Sequence, residues 1–170
     1  MKIRNLTSLP TDRLRELALV AAPPGVTGAF IVFKYFWGYR GSALCESWLD
    51  SQGGKSRDIS LRSFTELPDV VISVPKIPRG PGKIEDEAVL QKGSRRAYVP
   101  FDQYTQEEAI LHLLSHEMRH LWQARVPKGW RVWGSRGQYS ERDCDAYAIR
   151  VVRHWRRTGS PFYGSKGEVR

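Results

Sequence analysis

Three features of the sequence predict an α+β fold. β-branched and aromatic runs are confined to the first hundred residues, two long amphipathic helical stretches occupy residues 105–157, and a proline- and glycine-rich break separates them. The 170 residues suit one domain with one core: a mixed helix and sheet part over 1–100, paired helices over 105–157 and a loose tail over 158–170. Thr11 is placed to cap a helix from about Asp12 to Val20, with Leu14, Leu17 and Ala18 at helical spacing and Pro23-Pro24-Gly25 as the stop. The run Ala29 to Tyr39 predicts a strand, since Phe30, Ile31, Val32, Phe33, Tyr35 and Phe36 are β-branched or aromatic. Arg57 to Phe64 alternates and Asp69 to Val74 is apolar between Pro68 and Pro75, so both predict strands; Leu44 to Leu49 adds another, and Ser51 to Lys55 reads as a turn. Pro75 to Gly82 predicts a loop opening onto a mobile excursion as far as Arg96. Thr105-Gln106-Glu107-Glu108 fits a capping box for a long helix reaching Ala124, stopped by Pro127. A last helix is expected from Ser140, as N-cap, to about Arg157, before Gly159-Ser160-Pro161.

Composition excludes several classes. Hydrophobic residues make up 41% and charged residues 26%, a globular balance rather than a disordered or coiled-coil one. No apolar run approaches the roughly 20 residues of a membrane span, and the basic N-terminus lacks the apolar core of a secretory signal. Two cysteines, Cys45 and Cys144, form no CxxC pair; they read as buried free thiols in a reducing compartment, so a cytoplasmic location is expected.

The chemistry concentrates in His116-Glu117-Met118-Arg119-His120, an H-E-x-x-H sequence within the long helix. At 100° per residue, positions four apart project from one face a turn apart, so both imidazoles can reach one Zn²⁺. Glu117 is rotated 100° from His116, beside such an ion rather than on it, suited to taking a proton from bound water. His112 lies on the same stripe, more in keeping with a supporting or core-edge residue than with a ligand. A catalytic zinc typically has three protein ligands and one position for water, so a third is required. In the last helix Glu141 and Asp145 share a face with Ala148, Val152 and Trp155, which can pack on the histidine-bearing helix. Glu141 is the economical third ligand, with Asp145 accepting from the free ring nitrogen of one histidine; Asp145, Asp143 and His154 are the other choices for the ligand itself.

His116-Glu117-Met118-Arg119-His120, followed 21 residues after His120 by Glu141-x-x-x-Asp145, resembles the gluzincin branch of the zincin metallopeptidases. Glu141 to Ala148 is similar to the E-x-x-A-(N/D)-x-(F/Y)-A segment of ImmA/IrrE-like and other small gluzincins. The resemblance covers about Thr105 to Arg157 and implies a minimal zincin-like fold, a small mixed sheet on an active-site helix with a ligand-bearing helix after it. It also implies a zinc metalloendopeptidase, with zinc on His116, His120 and Glu141, Glu117 as general base, Asp145 supporting, and a protein or peptide as substrate. Cys144 departs from the pattern where alanine is usual, and Gln123 and Val126 depart from the extended metzincin signature. Tyr139, Arg142, Tyr147 and His154 are candidate transition-state donors, none assigned, with Tyr147 placed better in the core; Asp69 to Val74 or Ala97 to Phe101 could hold an extended substrate.

The net charge of +9 suggests an alternative. Arg119 to Arg157 carries ten cations against three acids, and Arg125 to Gln138 adds Trp130 and Trp133 beside its cations. A basic nucleic-acid-binding protein with a structural zinc, a protease acting near DNA, or a catalytically inactive zincin-fold binding module would share these features.

Overall fold

The computed structural model describes residues 1–36, 42–45, 68–75, 84–89, 98–103, 105–125 and 138–159. Its first unit is a β-α-β crossover: strand β1 (Lys2–Asn5), helix α1 (Thr11–Ala21) and strand β2 (Phe30–Phe36), with β1 and β2 parallel. Strand β3 (Ser42–Cys45) and strand β4 (Val70–Pro75) complete a four-stranded sheet of order β1-β2-β4-β3. β4 runs parallel to β2, pairing Ile31 with Val70 and Phe33 with Ile72, while β3 joins antiparallel on the other side of β4. A separate antiparallel pair, β5 (Ile84–Val89) and β6 (Tyr98–Gln103), precedes helix α2 (Gln106–Arg125) and helix α3 (Gln138–Thr158). The α+β class predicted from the sequence is the class observed. No helix among the described residues is long and apolar enough to cross a membrane.

The continuous apolar runs of β2 and β4 have a physical reason. Parallel strands are covered on both faces, so hydrophobic residues need not alternate with polar ones. Ile31, Phe33, Val70, Ile72 and Val74 face the helices in the main core, whereas Phe30, Val32 and Val71 form a small cluster on the opposite face. Against the first face lie Leu14, Leu17 and Ala18 of α1, Leu111, Leu114, Met118 and Leu121 of α2, and Tyr147, Val151, Val152 and Trp155 of α3. The predicted stripe Ala148, Val152, Trp155 is buried, and that packing fixes the rotation of α3 about its axis against α2.

Several boundaries and caps differ from expectation. β1 has no counterpart in the sequence reading, because a four-residue strand with exposed Lys2 and Arg4 carries little apolar signal. Pro10, not Thr11, occupies the N-cap of α1. Asn5 instead organises that turn: its amide donates to Leu9 O at 2.7 Å and Thr11 Oγ1 at 3.1 Å, and its carbonyl accepts from the Thr7 amide at 2.9 Å. Half of the capping box at α2 forms, the Glu108 amide donating to Thr105 Oγ1 at 3.1 Å. The Glu108 carboxylate is engaged elsewhere, as described below. α3 begins two residues before Ser140 and ends where Gly159, at φ 58°, donates its amide to Trp155 O at 2.8 Å, the left-handed C-terminal cap that glycine accepts without strain. The stretch expected to be a mobile excursion contains β5. The predicted strand Arg57 to Phe64, the turn at Ser51 to Lys55 and the stop at Pro127 lie outside the described residues.

Helices α2 and α3 are tied by a pair of which one member is buried. Arg156 donates from Nε to Glu108 Oε1 at 2.7 Å and from Nη2 to Oε2 at 2.9 Å, with the Glu108 side chain 9% exposed. This two-pronged geometry satisfies the carboxylate that burial would otherwise penalise. Arg156→Ala strands the Glu108 charge and should lower unfolding free energy by about 2–4 kcal/mol, read by urea denaturation; Arg156→Ala,Glu108→Leu should recover much of that loss.

Candidate metal centre

His116 and His120 lie one turn apart on α2, as the motif requires, with ring centroids 4.9 Å apart and planes inclined by 69°. Their Nε2 atoms are 3.2 Å apart. Glu141, one turn into α3, brings Oε2 to 3.1 Å from His116 Nε2 and Oε1 to 3.2 Å from His120 Nε2. Donors held at about 2.0–2.1 Å around a tetrahedral zinc stand roughly 3.3 Å from one another, the scale of these three separations, with Glu141 meeting the two nitrogens through its two different oxygens. The histidines are largely buried, their side chains 17% and 12% exposed, while Glu141 is 56% exposed. The cluster therefore has an imidazole floor and a solvent-facing side at Glu141.

Asp145 accepts from His116 Nδ1 at 3.0 Å. That bond places the Nδ1 proton and leaves Nε2 for the triangle, the role expected of a carboxylate behind a ligating histidine. Burial opposes protonation of His116, but the hydrogen bonds to Asp145 and Glu141 and the charges of Glu117 and Asp145 outweigh it, raising its pKa to about 10. Hydrogen bonds from His116 and His120 hold Glu141 well below the usual carboxylate range. Without metal, an imidazolium proton thus sits between His116 and Glu141 where a cation is expected. Glu117 is buried at 8% exposure, close enough for its charge to act on His116 and on the Cys144 thiol.

Of the other candidate ligands, Asp143 turns to Arg119, accepting from Nε at 2.5 Å and Nη2 at 3.1 Å. His154 is 13 residues beyond Glu141, about 20 Å along the helix, and takes no part. His112 is buried at 3% exposure one turn before His116, the supporting or core position anticipated for it. Tyr147 is a core residue as expected, its hydroxyl donating to Ala21 O at 3.1 Å, so it cannot serve as a donor to substrate. Tyr139, Trp130 and Trp133 lie outside the residues whose side chains are described. β4 is interior to the sheet, paired on both sides, and cannot accept an extended peptide as the sequence suggested; among the described residues β3 is the sheet edge nearer α2. β6 is engaged on one side by β5.

Two residues of the centre were read from the sequence only as departures from a family pattern. Cys144 is fully buried, and its sulfur forms with one nitrogen of each histidine a group lying within 4.8 Å, a second possible triad. Glu141 brings an oxygen within 3.2 Å of each Nε2 atom from the exposed side of the pair, whereas Cys144 is fully buried. Burial, with the charges of Glu141, Asp143 and Glu117, pushes the Cys144 thiol well up in the metal-free chain. Cys144→Ala should leave zinc affinity within about threefold of wild type, whereas Glu141→Gln should weaken it at least tenfold, both read by chelator competition. A sulfur-to-metal charge-transfer band in the cobalt-substituted protein would reverse that assignment. The second residue, Gln123, is taken up below.

The basic segment is partly neutralised from within the fold. Arg119 pairs with Asp143, Arg125 with Asp69 and Arg156 with Glu108, so three of its cations are engaged, two of them by acids from elsewhere in the chain. Compared with protein-family models, curated proteins and solved structures, the chain matches none.

Proposed function

We propose that the protein is a zinc metallopeptidase, with His116, His120 and Glu141 holding the ion and Glu117 as general base. The observation that carries this reading is the approach of the Glu141 carboxylate to both Nε2 atoms, Oε2 at 3.1 Å from His116 and Oε1 at 3.2 Å from His120, with the two nitrogens 3.2 Å apart, buried imidazoles behind them and the exposed carboxylate at the mouth. Structural zinc sites are closed by four protein ligands; three ligands and a solvent-facing side suit catalysis. When bound, zinc supplies a Lewis acid that lowers the pKa of water to about 7 and polarises a carbonyl.

The chain's own residues supply the proton handling and the orientation. Glu117 removes the proton from the attacking water and delivers it to the leaving amine nitrogen, so that one carboxylate acts as base and then as acid. At 8% exposure, Glu117 exchanges that proton only slowly with bulk solvent. Asp145 holds His116 in the tautomer that directs Nε2 to the ion. An extended substrate would lie along β3, the sheet edge beside α2, where backbone hydrogen bonding positions it without demanding particular side chains.

The test is zinc content together with cleavage of a mixed peptide library. Wild type is expected to carry one zinc and to cleave, and His116→Ala to do neither. A wild-type chain that takes up no zinc after refolding in its excess would refute the reading.

A further inference from the structure

Gln123 is a fully buried amide, 1% exposed, one turn beyond His120 on α2. Its Nε2 donates to Asp143 Oδ2 at 3.0 Å, and its Oε1 stands 3.3 Å from His120 Nδ1. Asp143 is itself held by Arg119, whose guanidinium lies 3.8 Å from the centre of the Trp122 ring and 5.4 Å from that of Tyr147. This chain of contacts crosses from α2 to α3 and back, and it ends on the second histidine of the candidate centre.

We infer that Gln123 is a positioning residue for the metal centre, setting the tautomer of His120 through the Asp143–Arg119 pair. The inference rests on the metallopeptidase reading for its consequence but not for its geometry. An ionised carboxylate offers only acceptors, so Asp143 obliges Gln123 to present its NH₂ on that side. The amide then has only its carbonyl oxygen for His120, and that oxygen can receive a hydrogen bond only if Nδ1 carries the proton. With Nδ1 committed to Gln123, Nε2, the atom that meets His116 and Glu141, is the nitrogen left to give up its proton to an ion. Asp145 does the same for His116 directly, from α3. The two histidines are therefore oriented by different means: one by a carboxylate, the other by a neutral amide whose sense is fixed by a carboxylate behind it. A neutral partner adds no second negative charge beside Glu117, Glu141 and Asp145, which already surround the imidazoles.

Two measurements test this. In the metal-free protein, long-range ¹H–¹⁵N spectra of the His120 ring should show Nδ1 protonated in wild type and its proton shifted toward Nε2 in Gln123→Met, which fills the same space without the acceptor. A ring unchanged in Gln123→Met, or one in wild type whose only proton is on Nε2, overturns the inference. In chelator competition, Gln123→Met should bind zinc about 10–100-fold more weakly, the loss typical of removing a partner behind a ligating histidine. Gln123→Glu, whose carboxyl group can share one proton with Asp143 and still keep an oxygen toward Nδ1, should recover most of that affinity. Equal losses in both variants would assign Gln123 to packing alone and overturn the inference, as would wild-type affinity in both. The spectra require no metal, so a wild-type protein that failed to bind zinc would refute the metallopeptidase reading while the His120 tautomer still decided the role of Gln123.

Discussion

Glu117→Gln is expected to keep zinc at one equivalent while lowering peptide hydrolysis about 10²–10⁴-fold, the usual worth of a positioned general base. The amide has the size of the carboxylate and sits at the same 8% exposed position, so neither packing nor the ligand triangle is disturbed. What disappears is the ability to accept a proton from water and return it to the leaving nitrogen. Asp145→Ala provides the contrast, because it removes the acceptor behind His116 without touching the proton path. It should weaken zinc binding by roughly 10–100-fold and recover activity when zinc is raised. Metal analysis alongside kcat/KM on one peptide separates the two, and cleavage at the wild-type rate by Glu117→Gln would remove the proposed mechanism.

The second large effect is a reversal of the pH dependence of stability between metal-free and zinc-loaded protein. In the metal-free chain His116 titrates near 10 instead of 6.5, so its contribution to stability is complete below 6.5 and is lost as pH rises from 6.5 through about 10. Glu141 is shifted the other way, so its contribution is present above 4.5 and is lost as pH falls through its depressed value. The cluster therefore stabilises the metal-free fold most between about pH 4.5 and 6.5 and progressively less above that window. The loss on the alkaline side is on the order of a few kcal/mol, reduced because Glu141 is 56% exposed and screened by solvent. Zinc competes with the proton on His116, so its affinity rises over the same range, and ligand binding to the native state adds stability as it tightens. Urea denaturation between about pH 6 and 9 with chelator should show declining stability, and with excess zinc it should show none. A His116→Ala chain declining with the same slope as wild type would contradict the assignment.

The legibility of this centre follows the range of the interactions that build it. His116, Glu117 and His120 are positioned by helix geometry within five residues, so spacing alone predicts their common turn. Glu141 and Asp145 were legible for a related reason: their face continues into Ala148, Val152 and Trp155, and an apolar stripe must turn toward another element. By sequence the Asp143 carboxylate was one alternative to Glu141 as third ligand, and only the approach of Arg119 from the opposite helix shows where it goes. Gln123 was visible as a departure from another signature, but its amide acquires a direction only when Asp143 and His120 are brought to either side of it. Glu108 makes the same point in the fold, since the local capping rule assigned its side chain to the backbone and an arginine 48 residues away took it.

By itself the sequence determined the α+β class, the two long helices, the buried face of each and the pairing of two imidazoles with a downstream carboxylate, because each follows from a fixed rise and rotation per residue. Tertiary structure alone decided that β4 lies inside the sheet with β3 at its edge, that Cys144 is drawn in beside the histidines, and that Gln123 and Asp143 form the support behind His120. Those outcomes depend on which elements become neighbours and at what rotation, and that is set by burying the apolar faces of α2, α3 and the sheet together rather than by any residue's local preference.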